Sequence, residues 1–430
     1  MRVAMLVHNT VVSDSRVIKS ARSLQRGGHE VTVFGYGASE GHPCQIDGFR
    51  LIIVPPATGQ FIYLFFSQYF DGFSHFDRSF KSISYLLAPL RLVLSPLRRL
   101  LPLSRTIASH YLIAKSIGRR VKPEDFDAIH AHDLISLLCI KSLKKNNPRL
   151  KVIWDAHELY PELAYKTKGM RLFAKKIISS LRSELDGFIT INDSLARYYE
   201  ANFPLLPRAT ILKNATSRSA PMVAEKKLSP LRESARIDQS QLILLSQGGL
   251  SIGRGIEILV QAAYKIPKNW SIVVMGDGSL SGLVDAASSE LSSTRASGKP
   301  AIIRIPPAPY VELNLWTMGA DLGIIPYQNT GLNHLYCTPN KLWEFPSAFV
   351  PVLAAPLVEM RKMILNYGIG ILLVENFTAS DIADVLQATT RQTLKPLVDA
   401  CSQFNLVENW EQTYEPRLLN LYKMLEDIDS

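Results

Sequence analysis

Cysteine is scarce in this sequence, and its placement excludes several kinds of site. The four cysteines are Cys44, Cys139, Cys337 and Cys401. No two of them have the spacing of a zinc site or of a disulfide framework. This usage is typical of a reducing compartment, so we expect a cytoplasmic protein.

Long apolar runs are also missing. No uninterrupted apolar segment reaches the roughly 18 residues of a membrane-spanning helix. The run Met1–Val7 is too short for a secretory signal and leads into polar residues. We therefore expect a soluble protein or one that lies peripherally on a membrane, on the inner face of the plasma membrane.

Glycine is absent from loop 8–15, which follows the first predicted strand, Arg2–Val7. The dinucleotide-binding fingerprint needs glycines there so that the chain can turn tightly and approach a pyrophosphate. We therefore do not expect an NAD-binding first domain. Val17–Arg26 has helical spacing and His29–Phe34 reads as a second strand. This strand–helix–strand opening indicates a parallel α/β sheet.

The chain is long and basic. Its 430 residues exceed one ordinary core, which predicts two or three domains. Hydrophobic residues make up 47% and charged residues 20%, as in a globular protein. The net charge of +10 favours an anionic partner, namely a phosphorylated substrate, a membrane surface or a nucleic acid.

Residues 61–122 depart from the α/β pattern. The first part is rich in aromatic residues, and Arg78–Lys122 contains many basic residues and no acidic one. Such a composition suits a helix in the headgroup region of an anionic bilayer, and equally a helical excursion with a basic rim. Single-stranded nucleic acid ranks last, because the aromatics precede the cations instead of alternating with them. We expect no nucleic-acid partner.

Polar residues follow three further predicted strands of the first half, Asp127–His130, Lys151–Asp155 and Gly187–Ile191. Ligands of open parallel sheets bind at the carboxyl ends of the strands, so these positions are candidate site residues. Two of these residues are the histidines His132 and His157. Each could be catalytic, or it could have a structural role in which its hydrogen bonds hold a loop against the sheet.

A second α/β series follows a Pro- and Lys-rich connection over 204–229. Its predicted strands are Leu242–Ser246, Ser271–Met275, Ile302–Ile305, Leu322–Ile325, Val352–Ala355 and Gly370–Val374. The tail beyond residue 378 is predicted to be helical. This repeat predicts an N-terminal domain over 1–205, a C-terminal domain over 206–395 and a helical tail over 396–430.

The stretch CTPNKLWEF in the second half predicts a helix start. Thr338 suits the N-cap and Pro339 the first helical position. Asn340 and Lys341 then fall in the first turn, where free N–H groups and the helix dipole attract an anion. Glu344 shares that face one turn later. The alternative is an ordinary surface helix with a local Lys341–Glu344 pair.

A hydrolase signature also occurs. Gly249-Leu250-Ser251-Ile252-Gly253 matches a nucleophile elbow, and Asp321 and His334 follow in hydrolase order. Against this interpretation, Ser251 lies several residues beyond the predicted strand end, whereas the elbow serine stands directly at it.

The same loop has another interpretation. Gly248, Gly249, Gly253 and Gly255 let the backbone approach a ligand closely. Arg254, in their midst, can make a forked contact to a phosphate. The alternative is a flexible strand–helix turn.

In their order, these motifs resemble those of the GT-B glycosyltransferases of the large retaining family four. The matching segments are Asp14–Val17, His130–Asp133, Asp155–Glu158, Gly248–Gly255, Gly276–Gly278, Ala320–Asp321 and Pro339–Phe345. The resemblance extends to Trp410 and implies an α/β fold of two Rossmann-like parallel-sheet domains that face a cleft. It also implies a C-terminal helix that returns to the N-terminal domain.

The resemblance implies site residues as well. Glu344 would accept hydrogen bonds from the ribose diol, Arg254 would replace a diphosphate-binding lysine, and His157 would lie near the donor sugar and the reacting centre. These three form the expected catalytic set. The expected donor-binding residues are Gly248, Gly249, Arg254, Gly276, Thr338, Asn340, Lys341 and Glu344. The expected acceptor-side residues are Asn9, Arg16, His132 and Glu158.

Three positions depart from the family pattern. Gly249 stands where the family has an arginine, so one phosphate contact is missing. Tyr336 stands where many members have the first of two glutamates, eight positions before Glu344, which removes a contact to the donor sugar. Pro346 lacks an N–H and must shorten or kink the helix.

We therefore expect an enzyme that transfers a sugar from a nucleoside diphosphate to an acceptor hydroxyl with retention. The acceptor would be a saccharide or a lipid-linked molecule in cell-envelope polysaccharide or glycolipid synthesis. No acidic metal-ligand pair stands out, so we expect no metal and no other cofactor. Two alternatives stay open, a serine hydrolase and a non-catalytic basic protein that binds membranes or polyanions.

Overall fold

The computed structural model describes residues 1–12, 14–37, 44–46, 48–56, 106–163, 167–217, 229–292 and 300–427. The chain forms two units. The first comprises Met1–Thr190, Ala196–Ile211 and Arg417–Ser430, and the second comprises Ile191–Leu195 and Leu212–Pro416. The predicted aromatic and basic segment lies outside the described residues as far as residue 105, and residues 106–120 form a helix.

An eight-stranded sheet forms the centre of the first unit, in the order β3-β4-β2-β1-β5-β6-β7-β8. The strands are β1 (Arg2–Leu6), β2 (Glu30–Tyr36), β3 (Cys44–Ile46), β4 (Phe49–Val54), β5 (Ala128–His132), β6 (Lys151–Ala156), β7 (Gly187–Thr190) and β8 (Ala209–Ile211). Only the pair β3–β4 among them is antiparallel. The central strands β1, β5 and β6 are buried almost throughout, and the polar side chains of His130 and Asp155 are buried among their apolar residues.

Helices flank this sheet in the order that a parallel sheet requires. They are Ser15–Arg26, 106–120, Asp133–Ser136, Ile140–Asn146, Lys168–Leu181, Asp193–Asn202 and Glu415–Asp427. The helical segment after β5 is interrupted, because Ser136 donates to the Leu6 carbonyl at 3.0 Å and a short 3₁₀ turn follows.

The last helix confirms that the chain returns to the N-terminal domain. Arg417 and the residues after it belong to the first unit. The ring of Tyr422 is fully buried, and its hydroxyl lies 3.0 Å from Nδ1 of His130 at the end of β5.

A six-stranded parallel sheet forms the second unit, in the order β11-β10-β9-β12-β13-β14. The strands are β9 (Leu242–Gln247), β10 (Trp270–Met275), β11 (Ile302–Ile305), β12 (Leu322–Ile325), β13 (Val352–Ala354) and β14 (Gly370–Leu372). The strand order reverses between β9 and β12, which is where open α/β sheets bind ligands. The two parallel-sheet domains expected from the sequence are confirmed.

The helices of the second unit include three short ones that follow β11 and β12. The α-helices among its described residues are Pro230–Ser234, Ile256–Ala263, Ser281–Ser292, Leu313–Thr317, Leu332–Leu335, Lys341–Ser347, Val358–Tyr367, Ala379–Ala388 and Arg391–Val407. Across the described part of the chain, no helix has both the length and the apolar character needed to cross a membrane.

The chain before the last helix fixes the helix Lys341–Ser347. Glu408 is buried and accepts hydrogen bonds from Nε1 of Trp343 at 3.3 Å and from Lys213 at 2.9 Å. Asn405 donates to the carbonyl of Pro346 at 2.8 Å. The side chain of Trp343 is itself fully buried. These contacts hold a seven-residue helix that would be unstable alone.

A buried ion pair joins the amino end of β12 to the start of the second unit. Nη2 of Arg232 lies 2.6 Å from Oδ2 of Asp321, and both side chains are buried. The same carboxylate oxygen accepts the N–H of Ile243 at 3.0 Å.

We predict that Arg232→Leu lowers the free energy of unfolding by about 3 kcal/mol, because it leaves the buried carboxylate of Asp321 with only the longer contact of 3.7 Å to the exposed Arg391. Arg304→Leu is the matched control, since Arg304 pairs with Asp285 at 2.8 Å near the surface. Its loss should cost less than about 1 kcal/mol. Urea unfolding followed by tryptophan fluorescence measures both, and equal losses would contradict the prediction.

Candidate active site

Two glycines bring the loop after β9 against neighbouring elements of the second unit. Gly248 has φ +103, and a Cβ there would lie 2.9 Å from Nζ of Lys341. Gly255 has φ +76, and its Cβ would lie 2.1 Å from the carbonyl oxygen of Pro326. Only glycine fits both positions. The loop therefore lies directly against the residues that follow β12.

Two cations converge on one aromatic ring beside this loop. Cζ of Arg254 lies 5.6 Å from the centroid of Tyr327, and Nζ of Lys341 lies 5.8 Å from it. Lys341 also donates to the Tyr327 hydroxyl at 3.3 Å. Within the described ranges of the chain, neither cation has an acidic partner. Two cations without a carboxylate, at the point where the strand order reverses, form an anion-binding arrangement.

The predicted start of the following helix was wrong. The helix begins at Lys341 with Asn340 as N-cap, so Thr338 is not the N-cap and Pro339 is not the first helical residue. Lys341 keeps its place in the first turn. Pro346 lies inside this short helix, as the sequence predicted.

Side-chain amides explain why Thr338 does not cap. Asn192 donates to the carbonyl of Tyr336 at 2.8 Å and lies 3.4 Å from the hydroxyl of Thr338. Asn214 donates to the carbonyl of Thr338 at 3.1 Å. Thr338 is therefore buried and bound from two sides, and the extended chain continues to residue 339.

Glu344 is oriented by a glutamine of β9. Nε2 of Gln247 donates to Oε2 of Glu344 at 2.9 Å, and Oε1 of Gln247 accepts from the hydroxyl of Thr317 at 3.0 Å. The local Lys341–Glu344 pair that the sequence left open does not form within the described residues. One carboxylate oxygen of Glu344 is thus held in place beside the loop.

The hydrolase alternative lacks its geometry. Asp321 lies at the amino end of β12 and pairs with Arg232. Ser251 and His334 follow the carboxyl ends of strands, and Nδ1 of His334 lies 2.7 Å from the hydroxyl of Thr330. The ends of parallel strands lie at opposite edges of a sheet, so these three residues cannot form a triad.

In the first unit, one buried carboxylate gathers three side chains at the end of β5. Oδ1 of Asp133 lies 2.8 Å from Nε2 of His157 and accepts the hydroxyl of Tyr160 at 2.6 Å. Oδ2 lies 2.7 Å from Nδ1 of His8. Asp133 has φ +66, a strained conformation for a residue other than glycine.

This carboxylate sets the charge of both histidines. Burial alone would lower the pKa of His157, but the charge of Asp133 and its contact to the ring raise that pKa to about 9. Burial and Asp133 oppose each other in the same way at His8, whose pKa is raised. The pKa of Asp133 is well below its usual value despite burial, because His157 and His8 stabilise the carboxylate.

A second buried carboxylate follows on β6. Asp155 accepts two hydrogen bonds of 2.8 Å from the guanidinium of Arg16. Although burial opposes it, this charge lowers the pKa of Asp155 to about 2. The buried rings of His130 and His132 stack at 4.3 Å beside it, and burial lowers the pKa of both.

His130, His132 and Asp155 have donor atoms within 4.8 Å of one another, a spacing compatible with a metal ion. The guanidinium of Arg16 binds both oxygens of Asp155, however, and its positive charge opposes a bound cation. The donor set therefore fits a metal ion poorly.

The remaining predicted acceptor-side residues lie in the adjacent loops. Asn9 accepts the N–H of Val11 at 2.7 Å and donates to Asp14 at 2.9 Å. Val11 has φ +68, so the glycine-free loop turns at a buried β-branched residue. Glu158 is half-buried and follows β6.

Sequence reasoning missed three residues of these two arrangements, namely His8, Tyr160 and Tyr327, and it gave no role to Asp133, which it placed at a strand end. His8 stands directly after a predicted strand, so the strand-end rule could have selected it. Tyr160 and Tyr327 have no signal of their own, since a buried or stacked tyrosine looks like any core aromatic.

Comparison with known proteins agrees with this architecture. A family model described as Glycosyltransferase Family 4 matches residues 15–217. No curated protein matches the sequence. A sucrose-phosphate synthase of Thermosynechococcus elongatus is similar in structure, with 12% identity, a TM-score of 0.68 and coverage of 100% of this chain and 99% of that one.

Two further solved structures are similar over nearly their full lengths. WaaG, a glycosyltransferase involved in lipopolysaccharide biosynthesis, has 16% identity, a TM-score of 0.60 and coverage of 99% of each chain. Anabaena HepE in complex with UDP and glucose has 11% identity, a TM-score of 0.63 and coverage of 100% of each chain.

The two units, their strand orders and these matches define the chain as a glycosyltransferase with the GT-B fold. Within that class, residues 15–217 match the model of glycosyltransferase family four, in agreement with the resemblance found in the sequence. The chain is therefore an enzyme, and neither the hydrolase nor the non-catalytic alternative describes it.

We predict that His157 titrates near pH 9 and that Asp133→Asn lowers its pKa by about 2, because the nearest negative charge is removed while Arg16 remains. Histidine Cε1 shifts in an NMR titration measure this. Asp127→Asn is the control, since Asp127 pairs with Arg2 at an exposed site and should leave His157 unchanged. An unchanged pKa in Asp133→Asn would contradict the assignment.

The same shift predicts the sign of a pH effect on stability. The folded-state pKa of His157 lies above its ordinary value of 6.5. The stability that it contributes is therefore fully present below about pH 6.5 and is lost as the pH rises through 9.

Proposed function

We propose that the enzyme transfers a sugar from a nucleoside diphosphate to an acceptor hydroxyl with retention of configuration. The second unit binds the donor. The observation that carries this proposal is the pair Arg254 and Lys341, two cations around Tyr327 that lack an acidic partner among the described residues. A diphosphate supplies the negative charge that this arrangement lacks.

The chemistry explains why cations are needed there. As the bond between the sugar and the diphosphate breaks, negative charge builds on the leaving phosphate. Preorganised positive groups stabilise that charge without having to reorganise. Lys341 lies against the backbone at Gly248, so a phosphate in this position also meets the N–H groups of the glycine-rich loop.

Glu344 fits the ribose. An ionised carboxylate only accepts hydrogen bonds, and a ribose diol offers two donors. Gln247 occupies one oxygen of Glu344 and fixes the orientation of the group. The other oxygen has no hydrogen-bond partner among the described residues, so it remains an acceptor for a ligand.

His157 acts as a charge-stabilising donor in this proposal, and not as a general base. With a pKa of about 9 the ring is an imidazolium at neutral pH, which has two N–H donors and no acceptor. Nδ1 of the ring is buried and has no hydrogen-bond partner among the described residues, so it is the donor that remains for a ligand. Asp133 positions it through Nε2.

The departures from the family pattern limit the donor contacts. A Cβ on Gly249 would make an ordinary contact with Nη1 of Arg254 at 3.7 Å, so Arg254 itself lies beside the position of the missing arginine. Tyr336 offers its carbonyl to Asn192 and brings no carboxylate to the donor sugar. The proposal therefore assigns phosphate binding mainly to Arg254 and Lys341.

We predict that Glu344→Ala weakens nucleotide binding by at least tenfold while His157→Ala lowers turnover by about 100-fold, since the latter removes a transition-state donor. Titration calorimetry with UDP, GDP and ADP measures the first effect and names the base. Initial rates measure the second, and NMR of the product's anomeric proton tests retention.

Glu290→Ala is the control for the carboxylate, because Glu290 is exposed and lies on the helix Ser281–Ser292, which carries none of the proposed donor-binding residues. EDTA should leave binding and turnover unchanged, as we propose metal independence. Wild-type transfer by both site variants would refute the site assignment.

We further propose that the enzyme works at a membrane surface in cell-envelope synthesis. WaaG, a structural neighbour, is described as acting in lipopolysaccharide biosynthesis. In this chain the helix 106–120 contacts the helix Lys168–Leu181, where the rings of Tyr111 and Phe173 lie 5.9 Å apart. The exposed basic residues of these two helices are Lys115, Arg119, Arg120, Lys168, Lys175 and Lys176.

We predict that the protein floats with vesicles of anionic lipid and that Lys175→Glu with Lys176→Glu lowers the bound fraction severalfold, since each basic residue near such a surface contributes about 1 kcal/mol. Lys265→Glu with Lys268→Glu, exposed positions of the second unit, is the matched control. Wild-type protein that stays unbound at low salt would refute the membrane proposal.

A further inference from the structure

A cavity of about 360 Å³ lies within the first unit. Small-ligand pockets usually have volumes of roughly 300–1,000 Å³, so its size suits a sugar-sized ligand. All of its lining residues belong to the first unit, and they come from the loops after β1, β5 and β6, from helix 106–120 and from helix Lys168–Leu181. The donor residues of the second unit have no part in it.

One wall of the cavity is polar. It consists of His8, Asp133, Glu158 and Tyr160. Asp133 binds His8 and Tyr160 and thereby fixes their positions. Carboxylate oxygens and a histidine ring together can accept from and donate to neighbouring hydroxyl groups, which is how a hydroxylated ring is recognised.

The other wall is mainly apolar. Its apolar residues are Ile113, Leu134, Ile135, Leu163, Met170 and Ala174, and helix 106–120 adds Ser109 and His110. Ala174 and Met170 are buried on the helix Lys168–Leu181. A free sugar would place hydroxyl groups against the six apolar side chains, which offer no hydrogen-bond partner, and unpaired polar groups are costly in such a place. An alkyl chain would bury apolar surface there.

The inference rests on the glycosyl transfer proposed above. We infer that this cavity binds the acceptor, and that the acceptor is amphipathic, with an alkyl chain attached next to the hydroxylated ring that receives the sugar. The ring lies against His8 and Glu158, and the first carbons of the chain lie against Ile113 and Ala174.

The outer surface of the two wall helices agrees with such an acceptor. Tyr111 is 51% exposed and Leu172 is 68% exposed, so both helices carry apolar side chains outward. Exposed lysines accompany them on the helix Lys168–Leu181. A lipid-anchored molecule would find apolar and cationic contacts beyond the cavity itself, whereas a free saccharide would gain nothing from them.

The test uses two soluble probes that share one ring, octyl β-glucoside below its micelle concentration and methyl β-glucoside. The full-length protein is labelled at its methionine methyl groups, and the signal of Met170 is assigned by Met170→Leu. We expect octyl glucoside to shift this signal and to bind at least 15-fold more tightly than methyl glucoside, since each buried methylene adds roughly fourfold.

Two variants and one control locate the site. Ala174→Phe fills the cavity and should abolish the octyl-dependent shift. Ile113→Ser, which removes apolar surface from a half-buried position, should weaken octyl glucoside by tenfold or more and leave methyl glucoside unchanged. Ala201→Phe, at an exposed position of the first unit, should have no effect.

Equal binding of the two probes, no shift at Met170, or shifts spread over many methionines would each overturn the inference. Calorimetry with UDP, GDP and ADP on the same samples separates this result from the proposed function. Nucleotide binding without selectivity for the octyl probe refutes the inference alone. Failure of every nucleotide to bind refutes the proposed function.

Discussion

Two buried carboxylates, Asp133 and Asp155, determine how the loops of the first unit are arranged. A carboxylate removed from water is stable only when cations or donors replace its hydration. Arg16 satisfies Asp155 with two hydrogen bonds, and His157 and His8 satisfy Asp133. The loops after β1, β5 and β6 are thereby joined in one ionic network. The positive charge of His157 is a consequence of this network, and the proposed chemistry uses a charge that the fold already requires.

The second unit differs, because it has two neighbouring cations that are not paired with carboxylates. Arg254 and Lys341 share the ring of Tyr327 and have no acidic partner in the part of the chain that the structure describes. The two positive charges repel each other, so an anion that binds between them offsets this repulsion and also makes new contacts. On the proposed function the diphosphate is the counterion that the unit lacks. Its affinity should accordingly fall as salt screens the site.

The sequence predicted the regular parts of the fold well, because buried parallel strands are continuous apolar runs. Two of the six strands predicted for the second unit, Ile302–Ile305 and Leu322–Ile325, match the structure residue for residue. The three-residue strands β3 and β8 were missed, since so short a segment has no periodicity. At the site, Arg254, Lys341 and Glu344 stand out by residue type and position. The start of the helix at Lys341 could not be predicted, because Asn192 and Asn214, far away in the sequence, bind the residue that would otherwise cap it.

Gly248 and Gly249 are neighbours with opposite tolerance for change. Any side chain at Gly248 would displace the ammonium of Lys341 and would also have to adopt φ +103. Gly249 lacks a left-handed φ, and its Cβ would meet nothing closer than 3.7 Å. An arginine is therefore sterically acceptable at Gly249, the position where the family has one. A single substitution at Gly249 could therefore add a phosphate contact. The loop tolerates only glycine at residue 248, whereas residue 249 can vary in evolution.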